Sequence, residues 1–287
     1  MPSLNTNAAP DATRPSIKSE THAALTLTTV DLDVQGVGLK LSTMFRPGPK
    51  PPILFLHGFG STKEDYADIV LHPEFDGHAV IAYDAPGCGA SECTDLKKIS
   101  IPFLVETARG LLAHFSVDTF HVVGHSMGGL TALMLADAEP DRVLGFADIE
   151  GNVAPEDCFL SRQVVDFPND DDDVFFEKFI ERTWHSNHYA SALYAADLRH
   201  RVRAGAVKGI FASMVELSDH GHLMERFLAL PCPTLFMHGE QNDGLSYLPK
   251  LRENGVTVAR IQSCGHFPMY SNPVEMWRTL SRFFGYS

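Results

Sequence analysis

Basic residues are scarce beside acidic ones: Lys and Arg total 23 against 36 Asp and Glu, a formal net charge of −13. A nucleic-acid binder needs a cationic surface to displace phosphate counterions, so this balance argues against nucleic acid as a partner. Long apolar runs are also lacking. None approaches the ~18 residues that suggest a membrane span, and the opening stretch, polar and rich in Pro, Ala and Thr, has no apolar core of a secretory signal. No CxxC pair occurs. The five cysteines (Cys88, Cys93, Cys158, Cys232 and Cys264) are odd in number and scattered, which suggests neither a zinc site nor a disulfide framework. Internal repeats are absent. Reduced thiols, no leader and no span together read as a cytoplasmic protein. What is present is an ordinary globular composition, 44% hydrophobic and 21% charged. A chain of 287 residues suits one large domain or a core with an inserted subdomain.

Two alternating stretches, Leu25–Val34 and Val37–Phe45, flank Gln35-Gly36 and predict an antiparallel pair joined by a tight turn. Then the pattern changes to short continuous apolar runs: Ile53–Leu56, His78–Tyr83, Phe120–Val123, Val143–Ile149, Thr234–Met237 and Val256–Ile261. Such runs fit strands buried on both faces of a parallel sheet. Helix-like stretches lie between them, including Ile101–Phe115, Gly129–Ala138 and Pro273–Phe284, so the fold class is α/β with crossovers on both faces. From Asn152 to Cys232 the rhythm breaks. The interval is too long for a structureless loop and holds the amphipathic stretches Val174–Trp184 and Ala206–Leu217. The expected organisation is a disordered arm over 1–24, a core over 25–151 and 232–287, and a helical cap over 152–231. The cap should cover the carboxyl ends of the strands, where open α/β sheets bind ligands. The acidic run Asp170–Asp173 reads as a solvated helix start, because negative charge suits a helix amino end.

Gly124-His125-Ser126-Met127-Gly128 is a G-x-S-x-G sequence between the strand Phe120–Val123 and the helix beginning near Gly129. This is the strand–turn–helix context that a nucleophilic serine on a sharp turn requires. Here the chain resembles the α/β-hydrolase superfamily, over roughly Leu25 to its end. Three further segments carry the likeness. His57-Gly58-Phe59-Gly60 is similar to the family's oxyanion loop, Asp84-Ala85-Pro86-Gly87-Cys88-Gly89-Ala90-Ser91 to its D-x-P-G-x-G-x-S turn, and Cys264-Gly265-His266-Phe267-Pro268 to its catalytic-histidine loop. The resemblance implies Ser126 as nucleophile and His266 as general base. It implies an oxyanion hole from the backbone N–H of Met127 with that of Gly58 or Phe59. The Asp84–Ser91 turn is expected to be scaffolding.

The acid is open at this level. Relatives often place an Asp three residues after the glycine ending the penultimate core strand, but here the third residue after Gly239 is Asn242, and Asp243 is one position late. An asparagine cannot stabilise an imidazolium as a carboxylate does. Glu150 ends the strand Val143–Ile149, where some members carry the acid, and it is preferred; Asp243 is the alternative and Asp148 a third candidate. The layout Ser126, Glu150, His266 resembles the fungal hydrolases that open the lactone zearalenone.

The implied reaction is hydrolysis of a hydrophobic ester or lactone through an acyl-enzyme, with no metal or organic cofactor. The spacings His185/His188 and His220/His222 could suit a metal, but no carboxylate or Cys supports them. Trp184, Tyr189 and Tyr194 are candidates for apolar substrate contact, Trp184 first. Two other readings stay open: a carbon–carbon hydrolase of a diketo acid, whose carboxylate would need a base such as Arg162 or Arg182, and a small-molecule receptor that kept the triad. The partner is a small molecule; no membrane is expected, and the oligomeric state, a homodimer being one option, stays open.

Overall fold

The computed structural model describes residues 24–186 and 189–285, with the backbone alone at residues 189–191 and 193. β1 (Thr26–Val34) and β2 (Val37–Arg46) form the expected antiparallel pair, Val34 opposite Val37. Gln35 and Gly36 between them have φ of 53° and 79°. Two positive φ angles in a two-residue loop match the right-handed twist of the flanking strands.

The parallel strands follow: β3 (Lys50–Leu56), β4 (His78–Tyr83), β6 (Phe120–His125), β7 (Val143–Ile149), β8 (Thr234–Gly239) and β9 (Thr257–Ile261). A two-residue strand, β5 (Glu92–Cys93), pairs with β2. Among the described residues the sheet order is β1-β2-β4-β3-β6-β7-β8-β9. The chain runs outward from β3 to β4 on one side, then resumes with β6 on the other. β3 and β6 therefore bracket the switch point of the sheet, where crossovers leave in opposite directions and a crevice opens at the carboxyl ends. Leu56 lies opposite Gly124 there, so the loop after β3 emerges beside Ser126.

Helices cover both faces. On one, α1 (Ile101–His114) buries Ile101, Leu104, Ala108 and Leu111, positions one helical turn apart. Ser100 caps its start by accepting a hydrogen bond from the Phe103 amide, and Pro102 sits in the first turn, where no amide partner is needed. α2 (Met127–Ala138) packs beside it. On the other face lie Tyr66 and Trp277, both buried against Phe55.

Between β7 and β8 the chain forms α3 (Gln163–Asp166), α4 (Asp172–Trp184), α5 (Tyr189–Arg201), α6 (Ala204–His220) and α7 (Leu223–Ala229). α4 and α6 extend the two amphipathic stretches seen in the sequence, and the Asp171 carboxylate caps α4. α8 (Leu248–Glu253), α9 (Pro268–Ser271) and α10 (Pro273–Phe283) complete the chain. The α5–α6 junction is tied to the turn after β4: the Gly89 amide donates to Arg201 O (2.7 Å) and the Arg203 amide to Gly87 O (2.9 Å). That turn is itself rigid. Asp84 accepts from the Lys63 amide and ammonium and from the Ala90 amide, while Ser91 Oγ donates to Asp84 O. Among the described residues no helix is long and apolar enough to cross a membrane.

Candidate active site

Ser126 follows β6 with φ 52° and ψ −118°, a backbone conformation that non-glycine residues avoid. Its amide donates to Ile149 O (3.0 Å), so the ladder to β7 carries the strained residue in register. The turn is possible because the chain is bare around it. A Cβ on Gly124 would collide with Gly128 O, and one on Gly128 with Leu56 O. Met127 opens α2, and the first amides of a helix have no partner within it. The His57–Gly60 loop lies on the neighbouring strand. Its geometry is set by His57, whose Nδ1–H donates to Gly58 O (2.8 Å) while Nε2 accepts from the Ala85 amide (2.9 Å). These partners require the neutral Nδ1–H tautomer.

Glu150 stands one residue past β7 with φ 53°. Its amide donates to Met237 O, and its side chain turns toward β8. Oε1 accepts from the Gly239 amide (2.6 Å); Oε2 accepts from Asn242 Nδ2 (2.5 Å) and from His266 Nδ1 (3.1 Å). The side chain is 5% exposed, and these donors compensate for its lost water. Asn242, at the position where relatives often carry the acid, is thus a donor to it. Nothing in the local pattern announced that role except the vacancy itself.

The alternative acid has other partners. Asp243 is 48% exposed and grips Arg260 Nε with both oxygens (3.0 and 2.9 Å), away from His266. The extra residue turns its side chain outward, toward β9. Asp148 is fully buried, accepts from the Gly151 amide (2.8 Å), and is pushed well above the usual carboxylate range by burial. It packs against Gly129 and Gly151, and among the described residues its Oδ2 has no hydrogen-bond partner.

His125, beside the serine in sequence, is buried behind His266. Its Nε2–H donates to His266 O (2.7 Å), and the two rings lie 4.9 Å apart. Burial lowers its pKa well below the ordinary value, so it is a neutral prop for the histidine loop. Sequence reasoning missed this contact. It also missed Phe159, which is 62% exposed and stands edge-on to the His266 ring at 5.8 Å.

Ser126, Glu150, His266 and Phe59 line one narrow cavity of about 30 Å3. Phe159, Leu160, Tyr194, His266 and Phe267 also line a larger one of about 520 Å3, to which Arg182, Gln241 and Asn242 belong. Tyr194 joins the walls: its hydroxyl donates to Phe59 O (2.9 Å) and its ring lies 5.3 Å from that of Phe267. Trp184, expected first at the substrate, lies elsewhere. It is half exposed and lines neither cavity. α4 buries Phe175, Phe176, Phe179 and Thr183, and the next residue points ~100° further round, into solvent. The side chain of Tyr189 lies outside the described residues, as does His188.

The chain is 35% identical over 119 residues to the dihydrolipoyllysine-residue acetyltransferase component of the acetoin cleaving system of Cupriavidus necator, covering 40% of this chain and 30% of that protein. Over 90 residues it is 32% identical to a proline iminopeptidase of Clostridium botulinum, covering 31% of each. The match spans about a third of the length of these relatives. Among solved structures, an N-acyl homoserine lactonase AidH mutant complexed with N-hexanoyl homoserine superposes with a TM-score of 0.67 at 18% identity, over 90% of this chain and 96% of that one. E-2-(acetamidomethylene)succinate hydrolase gives 0.67 at 16%, over 91% and 100%. At such identities the likeness speaks to the fold. The family model of the alpha/beta hydrolases matches residues 53–279, and the chain belongs to that family.

Proposed function

We propose that this protein hydrolyses a carboxylic ester or lactone of a hydrophobic small molecule, with Ser126 as nucleophile, His266 as general base and Glu150 as the acid. The observation that carries the reading is the 3.1 Å contact between Glu150 Oε2 and His266 Nδ1, in a cavity that also holds the strained Ser126. A carboxylate on Nδ1 fixes the tautomer that leaves Nε2 free to take a proton, and stabilises the imidazolium once it has done so.

In this mechanism His266 deprotonates Ser126, whose free hydroxyl is a weak nucleophile. Ser126 Oγ attacks the carbonyl carbon. The Met127 amide, with that of Phe59 or Gly58, receives the developing oxyanion; one such donor contributes ~3–4 kcal/mol. His266 returns its proton to the leaving alcohol, then activates the water that cleaves the acyl-enzyme. The larger cavity, with Phe159, Leu160 and Phe267 in its wall, would take the apolar body of the substrate. The carboxylesterase of Nitrososphaera gargenis and the homoserine lactonases share the fold, and the triad layout resembles the zearalenone hydrolases. The test panel is therefore short and long acyl esters, a simple lactone, an N-acyl homoserine lactone and zearalenone. Turnover by the wild type that vanishes in Ser126→Ala is expected. Equal turnover by a folded Ser126→Ala would reject the assignment.

A further inference from the structure

We propose that Arg182 anchors a carboxylate that the substrate carries at the end remote from its scissile bond, in the larger cavity. The proposal rests on the hydrolase reading above and adds a substrate class to it. Arg182 lies in the last turn of α4 and lines the same cavity as His266. Its guanidinium is positioned without being neutralised. Nε donates to the neutral Gln163 Oε1 (2.7 Å), and the plane is held over the Phe167 ring, Cζ 4.3 Å from the centroid. Nη2 is buried and has no hydrogen-bond partner among the described residues, and no described carboxylate comes within ion-pair distance.

The acids that could have quenched it are engaged elsewhere or stand off. Asp170 holds the Lys178 ammonium (3.0 Å), and its field and that of Asp166 reach Arg182 only from beyond ion-pair distance. Arg162, the other cation the sequence offered, is consumed by a two-pronged pair with Asp219 (2.9 and 2.7 Å). Desolvation depresses the Arg182 pKa, yet a guanidinium stays charged far above neutral pH. A partly desolvated guanidinium short of partners is costly, and a ligand carboxylate meeting its cavity-facing side offsets that cost with a strong charge-assisted bond. Apart from His266, the described lining offers only neutral polar groups such as Gln241 and Ser263 and apolar ones such as Phe159 and Phe267. Arg182 is thus the fixed cation of this cavity, in a chain whose net charge of −13 otherwise disfavours anions.

The experiment compares monoesters of straight-chain dicarboxylic acids with neutral esters of matched length, in wild type, Arg182→Gln and Arg182→Lys. The ratio of kcat/KM, acid-bearing over neutral, should fall about tenfold or more in Arg182→Gln, chiefly through KM. Arg182→Lys should recover part of it, keeping the charge but not the planar fork. A ratio that does not move overturns the proposal, since a residue that merely supports the fold would lower both substrates alike. Binding of the same monoesters to Ser126→Ala, with and without Arg182→Gln, is read by calorimetry and does not need turnover. Weakened binding in the double variant supports the site; equal affinity overturns it. A wild type that hydrolyses neither ester series would defeat the hydrolase reading, and the calorimetry would still decide Arg182.

Discussion

Glu150 and Ser126 share an unusual backbone state: each stands one residue beyond a strand with φ just above 50°. Residues other than glycine hold such angles at ~1–3 kcal/mol, a strain sustained only where the surroundings over-determine the position. Here the surroundings are the β6–β7–β8 ladder and, for Glu150, three donors on its carboxylate. Removing that carboxylate leaves His266 without its partner and the Gly239 amide unmet. Glu150→Ala is therefore expected to lower kcat by ~10³-fold or more, by analogy with loss of the acid in serine triads. Asp243→Ala loses a surface pair with Arg260, worth ~0–1 kcal/mol, and a looser contact with His238 Nδ1 (3.6 Å), and should leave kcat near wild type. Steady-state rates of the two folded variants check this, and the reverse ranking would reject Glu150.

At the scale of elements, α5 is one link between the helical segment and the loops that hold Phe59 and His266; α4 and α6 also meet Phe59, through Phe179 and Phe211. Tyr194 reaches both loops, through Phe59 O and the Phe267 ring. Replacing its hydroxyl removes a hydrogen bond worth ~1 kcal/mol while keeping the ring. Tyr194→Phe should reduce kcat severalfold with a small change in Tm; kcat unchanged would mean that the His57–Gly60 loop holds its shape unaided. The sequence did not announce this helix. Its described inward residues include Ala195 and Leu198 in an alanine-rich stretch, which leaves little apolar periodicity to read. α1 and α10, by contrast, were legible because bulky residues such as Leu104, Leu111, Trp277 and Leu280 recur on one face. The large apolar face of α4 was legible too, but its rotation was not, and that rotation is what sent Trp184 outward and brought Arg182 and Thr183 to the cavity.

Across the whole molecule, the helical segment is fastened to the core where it begins. Asp157 accepts from the Val153 and Ala154 amides and from the Tyr247 hydroxyl, and neighbouring Glu156 accepts from Ser246. Burial outweighs these bonds and pushes the Asp157 carboxyl up to about 6. A raised folded-state value means that the fold binds the proton more tightly than the unfolded chain. The stabilising share of Asp157 is therefore present at low pH and is lost as pH rises from the ordinary carboxylate range through about 6. Against Asp157→Asn, which cannot ionise, the wild type should lose ground over that window by up to ~1.4 kcal/mol per pH unit. Urea midpoints of both proteins across the window test this; a pH-independent difference would show that the carboxyl titrates normally.

The sequence by itself determined the strand types, because residues buried on both faces of a parallel sheet must be apolar without alternation. It determined the serine turn, because only a chain bare of side chains at Gly124 and Gly128 can make it. It narrowed the acid to three carboxylates near two strand ends. Tertiary structure alone brings one of them, Glu150, against His266, since the two lie 116 residues apart and one residue of offset reverses the direction of a side chain at a strand exit. The same holds for the arginines. Arg162 and Arg182 are equal in sequence, and what separates them is that Asp219, from a distant helix, pairs with one while no acid among the described residues hydrogen-bonds the other.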